Sequence, residues 1–402
     1  MNATNINKTF LIILLGILAA LGPFSIDMYL PAFQRIGQYF NTDSKQVAFT
    51  LTSYFAGISF GQLIYGPIVD KYGRKKPLII GLSIYIIASL GCAFSINIDM
   101  MIGMRLLQAL GACVGMVASN AIINDVYEKD KMAKAFSSLI LVMGVAPLIA
   151  PSLGSLFLEK LDWYYIFIFL AVFAGLIVAM IYFFLPETSK YMHNKKLKVK
   201  TISVDYWSIL KNKTFIIYTL IGSISMAVLF AYIASASPVF QRFYKLDNAS
   251  FSIIFAINAT GLIIGSSLNG WLTKKIHFLR IAKIAIGLLF IWTLIVMMTF
   301  IFLPHLPFPY LVIGLFFTLF IVGFINPNAT AASLFPFHSN VGAASALSGA
   351  VRMGIGALIA ATMGILDVSH PRNMFITIFS LATLCALLFL LAPNVPKRIK
   401  KD

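Results

Sequence analysis

The sequence predicts an all-α integral membrane fold, with twelve transmembrane helices in two pseudo-symmetric six-helix bundles. Three observations carry this. Hydrophobic residues make up 59% of the 402 positions and charged residues only 11%. A water-soluble chain of this size has no interior large enough to hide so much apolar surface. The apolar residues gather into blocks, most reaching the roughly 20 residues needed to cross the hydrocarbon layer as a helix. Lysine and arginine fall mainly into alternate connections between those blocks.

The predicted spans are 10–31, 46–69, 77–97, 99–123, 135–158, 163–186, 214–237, 249–272, 280–303, 308–332, 341–366 and 371–393. Residues 284–351 contain no Asp, Glu, Lys or Arg. Two turn signals divide that block, the proline-rich 304–309 and the polar 335–340. Lys8 followed by an apolar run also has the form of a signal peptide. Its removal would strip the charge pattern of its N-terminal member, so the run is read as the first span. With the N-terminus inside, 23 of the 31 Lys and Arg residues face the cytoplasm. Six face outward (Arg35, Lys45, Lys160, Arg242, Lys245 and Arg372), and Arg105 and Arg352 fall within spans. The bias predicts that both termini are cytoplasmic. It also accounts for the net charge of +17 by contact with anionic lipid, with no nucleic-acid partner.

The longest polar connector, 187–213, carries seven lysines and separates six spans from six. The expected organisation is an N-terminal bundle (1–186), a basic cytoplasmic linker (187–213) and a C-terminal bundle (214–402). Such a plan places a substrate site where two bundles meet. A trace of duplication supports it: Pro31-Ala32-Phe33-Gln34-Arg35 closes span 1, and Pro238-Val239-Phe240-Gln241-Arg242 closes span 7.

Charges inside a membrane are costly and need a reason. Asp27 is the deepest carboxylate, about one turn from the outer end of span 1. The second half has no carboxylate deep in any span. By elimination, Asp27 is the candidate for an acid that takes and releases a proton inside the membrane; the plainer reading is a helix-end aspartate touching interface water. Arg105 lies about 9 Å into span 4, at a similar depth, so an ion pair or water-bridged relay with Asp27 is expected. A snorkelling arginine is the alternative. Arg352, near the middle of span 11, must face a cavity or a partner. It is a candidate for binding a polar or anionic group of a substrate, or for bonding to backbone carbonyls. Asn326, beside Pro327 in span 10, adds a candidate cavity contact, and so do Tyr29, Phe33 and Tyr54, although packing explains those aromatics equally well.

The turn 66–77 must reverse the chain within a few residues, which Gly66 and Gly73 permit. Asp70 can pair with Arg74, and Asp125 ends span 4 on the same face. These charges are expected to form a cluster able to latch and release; an ordinary basic loop is the alternative. Gly144, Pro147, Pro151 and Gly154 bend span 5 and allow close packing. The chain has no phosphate-binding glycine loop and no Cys/His metal set, and Cys92, Cys113 and Cys385 read as apolar core residues. No enzymatic activity, metal or cofactor is expected.

The 66–77 turn matches the loop motif G-x-x-x-D-x-x-G-R-[KR] of the major facilitator superfamily, and Arg105-x-x-Gln108-x-x-Gly111 is similar to its fourth-helix motif. The runs 25–32, 61–67 and 352–357 resemble the bicyclomycin-resistance (Bcr/CflA-type) drug–proton antiporters. The resemblance implies a two-bundle fold, alternating access, drug efflux in exchange for protons, and a bacterial inner membrane. It implies a coupling or substrate role for Asp27, a relay role for Arg105, and gating roles for Asp70, Arg74 and Asp125. Two departures stand out. The antiporter run G-P-x-x-G-G reads Ala150-Pro151-Ser152-Leu153-Gly154-Ser155, and Asn124 precedes Asp125 where the subfamily has arginine, a role that is either missing here or supplied elsewhere, with Lys129 the candidate.

The expected partners are protons, a small-molecule substrate and membrane lipid, with the proton gradient as energy source and a monomer as the working unit. A proton-coupled exporter or symporter dedicated to one metabolite, such as a siderophore, amino acid or nucleoside, is the alternative.

Overall fold

The computed structural model describes residues 8–127, 129–189, 199–337, 341–366 and 370–393, and among these there is helix and no strand. The chain divides into two compact units, Met1–Ile202 with Asp247–Ala256, and Ser203–Leu246 with Ile257–Asp402.

The first unit begins with α1 (Lys8–Asp27), then a 3-10 turn (Leu30–Ala32) and α2 (Phe33–Tyr39). It continues with α3 (Ser44–Tyr72), α4 (Lys75–Ala93), α5 (Ile98–Val126), α6 (Lys129–Lys160) and α7 (Tyr164–Phe184). Polar residues set the starts. Asp43 accepts from the Gln46 amide at 3.0 Å to cap α3, and Asn97 accepts from the Met100 amide at 2.7 Å to cap α5. Helix α5 packs against both α3 and α4. A Cβ on Gly111 would come within 2.6 Å of the Gly81 carbonyl oxygen and the Tyr85 amide, so α5 and α4 touch backbone to backbone there.

A short helix, α8 (Val199–Leu210), lies within the lysine-rich connector, where the sequence predicted only a linker. It is followed by α9 (Lys213–Ser237), which passes into a π-helical turn (Pro238–Phe243), and by α10 (Asn248–Leu272). Helices α11 (Phe278–Phe302), α12 (Phe308–Leu334), α13 (Val341–Ile365) and α14 (Pro371–Leu390) complete the second unit. Within it, α9 packs on α12, α13 and α14. Pro327 cannot donate to the carbonyl of Gly323 one turn earlier, and Ser266 Oγ donates to that oxygen instead, at 3.3 Å.

Eleven stretches among the described residues are long and apolar enough to cross a membrane. The fifth predicted span, 135–158, falls in α6, a helix of 32 residues whose side chains lie partly outside the described set. Two ends differ from expectation. The stretch that holds the first predicted span runs on through the 3-10 turn to Tyr39, not 31, and the one that holds the seventh predicted span runs through the π turn to Phe243, not 237. Both irregular turns fall on the repeated Pro-x-Phe-Gln-Arg pentapeptide. Proline removes one amide donor and pre-sets φ: α9 passes directly into the π turn at Pro238, whereas α1 ends at Asp27 and the chain resumes as a 3-10 turn at Leu30. The predicted turn residues 338–340, and Asp367, lie outside the described residues.

Candidate functional site

Helix α1 ends at Asp27, and Met28 and Tyr29 lead into the 3-10 turn. The extension to Tyr39 moves Asp27 from one turn off the span's end to near the middle of a 31-residue stretch. Its side chain is buried, at 4% exposure. Helix α6 lies directly against this break, because a Cβ on Gly154 would collide with the carbonyl oxygen of Met28. Pro147 and Pro151 lie in the same helix, whereas the surroundings of Gly144 lie outside the described residues. Ser155, where the antiporter motif has glycine, donates to the Asn248 carbonyl at 2.8 Å and lies 2.6 Å from Ser252 Oγ, tying α6 to the first turns of α10.

Arg105 has 0% exposure, and its surroundings correct the expected ion pair. Among the described residues, ion pairs form only at Arg74. The Arg105 guanidinium is held between the rings of Tyr29, at 4.3 Å, and Tyr54, at 4.2 Å, with Phe167 at 5.7 Å. Its Nη1 donates to Gln108 Oε1 at 2.6 Å, and Gln108 Nε2 donates onward to Ser89 Oγ at 2.8 Å. The faces of aromatic rings are electron-rich, so a desolvated cation is stabilised there by about 2 kcal/mol or more. The cage is itself braced: Tyr29 OH lies 3.1 Å from Thr50 Oγ1, and Tyr54 OH donates to the Gly22 carbonyl. Phe33 packs on Tyr29 with ring centres 5.0 Å apart. Tyr29 and Tyr54, candidate cavity residues from sequence, therefore pack against Arg105, and Phe33, the third candidate, packs on Tyr29. Nε and Nη2 of Arg105 have no hydrogen-bond partner among the described residues.

A second cluster forms at the α3–α4 turn. Gly73 adopts φ 83°, a conformation that glycine reaches without strain, and turns the chain into α4. Gly66 has no such constraint, since a Cβ there would meet nothing within 4 Å. Arg74 Nε donates to Asp125 Oδ2 at 2.8 Å, and Nη1 donates to Asp70 at 3.0 Å and to the Val69 carbonyl at 2.7 Å. Partial burial works against the Arg74 charge, but Asp125 and Asp70 outweigh it and hold its pKa above the ordinary value.

Sequence reasoning missed two members of this cluster. Glu187 accepts from the backbone amides of Arg74 and Lys75 at 2.9–3.1 Å, placing a carboxylate on the free N-terminus of α4. Thr188 Oγ1 donates to Asp125 Oδ2 at 3.2 Å. Asp125 thus draws on Arg74 and Thr188; the side chain of Lys129 lies outside the described residues. The signal available was a Glu-Thr pair just past an apolar run, which resembles any polar span end.

In the second unit, Arg352 Nη2 donates to Thr330 Oγ1 at 2.8 Å, and Thr330 donates to the Asn326 carbonyl at 2.9 Å. Asn326 Nδ2 donates to the Gly222 carbonyl at 3.2 Å. Asn269 and Asn328 pair through their amides, with Asn328 Nδ2 2.7 Å from Asn269 Oδ1.

A buried acid at a helix break, a caged arginine and a charged turn cluster coincide with a match of residues 15–361 to the model described as Major Facilitator Superfamily. The chain belongs to the major facilitator superfamily. Among relatives, the uncharacterized MFS-type transporter YdgK of Bacillus subtilis (strain 168) is 34% identical over 382 residues, 94% of each chain. A bicyclomycin resistance protein homolog of Haemophilus influenzae is 29% identical over 394 residues, 97% of this chain and 98% of its own. The multidrug transporter MdfA of Yersinia pestis is 25% identical over 82% of this chain and 80% of its own. A crystal structure of a D-xylose–proton symporter superposes with a TM-score of 0.75, at 15% identity, over 95% of this chain and 97% of that one, which shows the shared fold. The superfamily comprises membrane transporters of small-molecule substrates, and this chain is a multi-pass membrane member.

Proposed function

We propose that this superfamily member exports small organic molecules, of the drug class named by its relatives, across the bacterial inner membrane in exchange for protons. The observation that carries the reading is Asp27, a buried carboxyl group at a break in the first membrane helix with no ion-pair partner among the described residues. A carboxyl group so placed exists in two protonation states that differ by a full charge in a medium of low dielectric, which couples its occupancy to conformation. A proton enters Asp27 from outside, substrate leaves, the transporter changes access, and the proton departs inward as new substrate binds. The membrane potential contributes about 2.3 kcal/mol per charge per 100 mV to the inward step. Arg105 supplies the local positive field and its cage couples that field to the α1 break. The Arg74 cluster is made and broken as access alternates. Both termini are cytoplasmic in this reading, the monomer is the working unit, lipid surrounds it, and no resident cofactor takes part.

Everted membrane vesicles test the proposal. Wild-type protein should accumulate a fluorescent drug when a proton gradient is imposed and lose the activity with an uncoupler. Asp27→Asn should abolish gradient-driven accumulation while the purified protein keeps its monodisperse elution. Gradient-driven uptake at the wild-type rate by Asp27→Asn would refute the assignment.

A further inference from the structure

Arg352 is a cation within a predicted membrane span. It lies in the interior of α13, and none of the helices from α9 through α14 contains an Asp or Glu. No counter-ion is therefore available from the helical bundle it belongs to. Among the described side chains its guanidinium donates to a neutral hydroxyl, Thr330, whose own proton is directed to the Asn326 carbonyl. A neutral hydroxyl does not offset a guanidinium charge. Its Nε is buried and has no partner among the described residues. The hydrogen-bonded chain from Arg352 through Thr330 and Asn326 ends at the Gly222 carbonyl on α9. On either side of Gly222, the hydroxyls of Thr219 and Ser223 are also buried and without partners among the described residues. Arg105 offers a contrast, since two tyrosine rings offset its charge.

An arginine with no anionic partner and one donor unpaired in low dielectric is costly, and the cost falls when an anion arrives. A cation brought to the same place is repelled. We propose that Arg352 is a specificity residue that receives a carboxylate or sulfonate group of the transported molecule. The transporter consequently prefers amphipathic organic anions over cations of the same size and ring system. This rests on the exporter reading, but it concerns equilibrium affinity and not the coupling ion or the direction of transport.

Two xanthene dyes of similar shape and opposite charge, fluorescein and rhodamine 6G, test the proposal at pH 7.5. Binding is read by fluorescence anisotropy on the full-length protein in dodecyl maltoside, which carries no phosphate headgroup. Fluorescein should bind at least about tenfold more tightly than rhodamine 6G, the preference expected of one charge-assisted hydrogen bond. Arg352→Gln should weaken fluorescein by about tenfold or more and leave rhodamine 6G unchanged or tighter, while Arg352→Lys, which keeps the charge, should stay within about threefold of wild type. Equal or tighter binding of rhodamine 6G by the wild type would overturn the proposal, a comparison that requires no variant to fold. Unchanged fluorescein affinity in Arg352→Gln would overturn it too. A failed exporter reading would show instead as gradient-independent vesicles, whatever the dye preference.

Discussion

Arg105 and Asp27 were both visible as intramembrane charges, and the expectation that opposite charges at one depth would pair was reasonable. The protein solves the arginine differently. Tyr29 and Tyr54 sandwich the guanidinium while Gln108 takes one N–H, an arrangement that leaves Asp27 free of any fixed cation. Linear sequence does not reveal this, because Tyr29, Tyr54 and Arg105 come from three separate segments and their ring orientations depend on packing. Lysine cannot reproduce a planar stack between two rings together with the bond to Gln108. Arg105→Lys is expected to lower stability by about 1–2 kcal/mol and to cut gradient-driven efflux by about tenfold or more, read from thermal unfolding in detergent and from vesicle uptake. The Arg74 cluster permits a graded test. Asp125 is 16% exposed at its side chain and Asp70 is 74% exposed, although both bond to the same arginine. Asp125→Asn should therefore cost about 1.5–3 kcal/mol, whereas Asp70→Asn should cost less than about 1 kcal/mol.

Helices in this chain meet where small residues allow backbones to touch, and the break after Asp27 is held by one such contact. Gly154 brings α6 against the Met28 carbonyl. Gly154→Val should push α6 off the break and abolish efflux, with a lower unfolding temperature; normal efflux from a normally folded Gly154→Val protein would show the contact to be dispensable. Glu187 performs a comparable service for α4 by accepting two backbone amides at its start. Glu187→Ala leaves those donors without the carboxylate and should cost about 1.5–3 kcal/mol, with Glu187→Gln retaining part of it, as measured by thermal unfolding. The prolines inside α6 and α12 were visible in the sequence. The pitch changes at Pro31 and Pro238 were not, because hydropathy continues across them while the hydrogen-bond pattern changes.

The distribution of Lys and Arg, 23 of 31 on one predicted side, makes a claim about how the whole chain lies in the bilayer. Reporter fusions in the 187–213 connector and at both termini should all report the cytoplasm. A periplasmic signal from the connector would invert the topology and with it the direction of proton entry. Relatives with drug-resistance names, and a shared fold with a sugar symporter, show that this architecture is indifferent to cargo. In the proposed mechanism the differences in cargo and coupling fall to individual side chains, so Asp27, Arg105 and Arg352 carry the tests.

Hydrophobic block length and charge asymmetry are properties of the chain in order, and the bilayer acts on them span by span. Membrane insertion, the near-complete set of spans, the family and the short roster of intramembrane charges could therefore be read from the residues alone. Which of those charges meet, which are caged, and which keep unpaired donors depends on helix rotation and on contacts between segments far apart in the chain. Side-chain packing in three dimensions settled those questions: Arg105 lies between two tyrosines, Glu187 caps α4, and Arg352 has no acidic partner within its own helices.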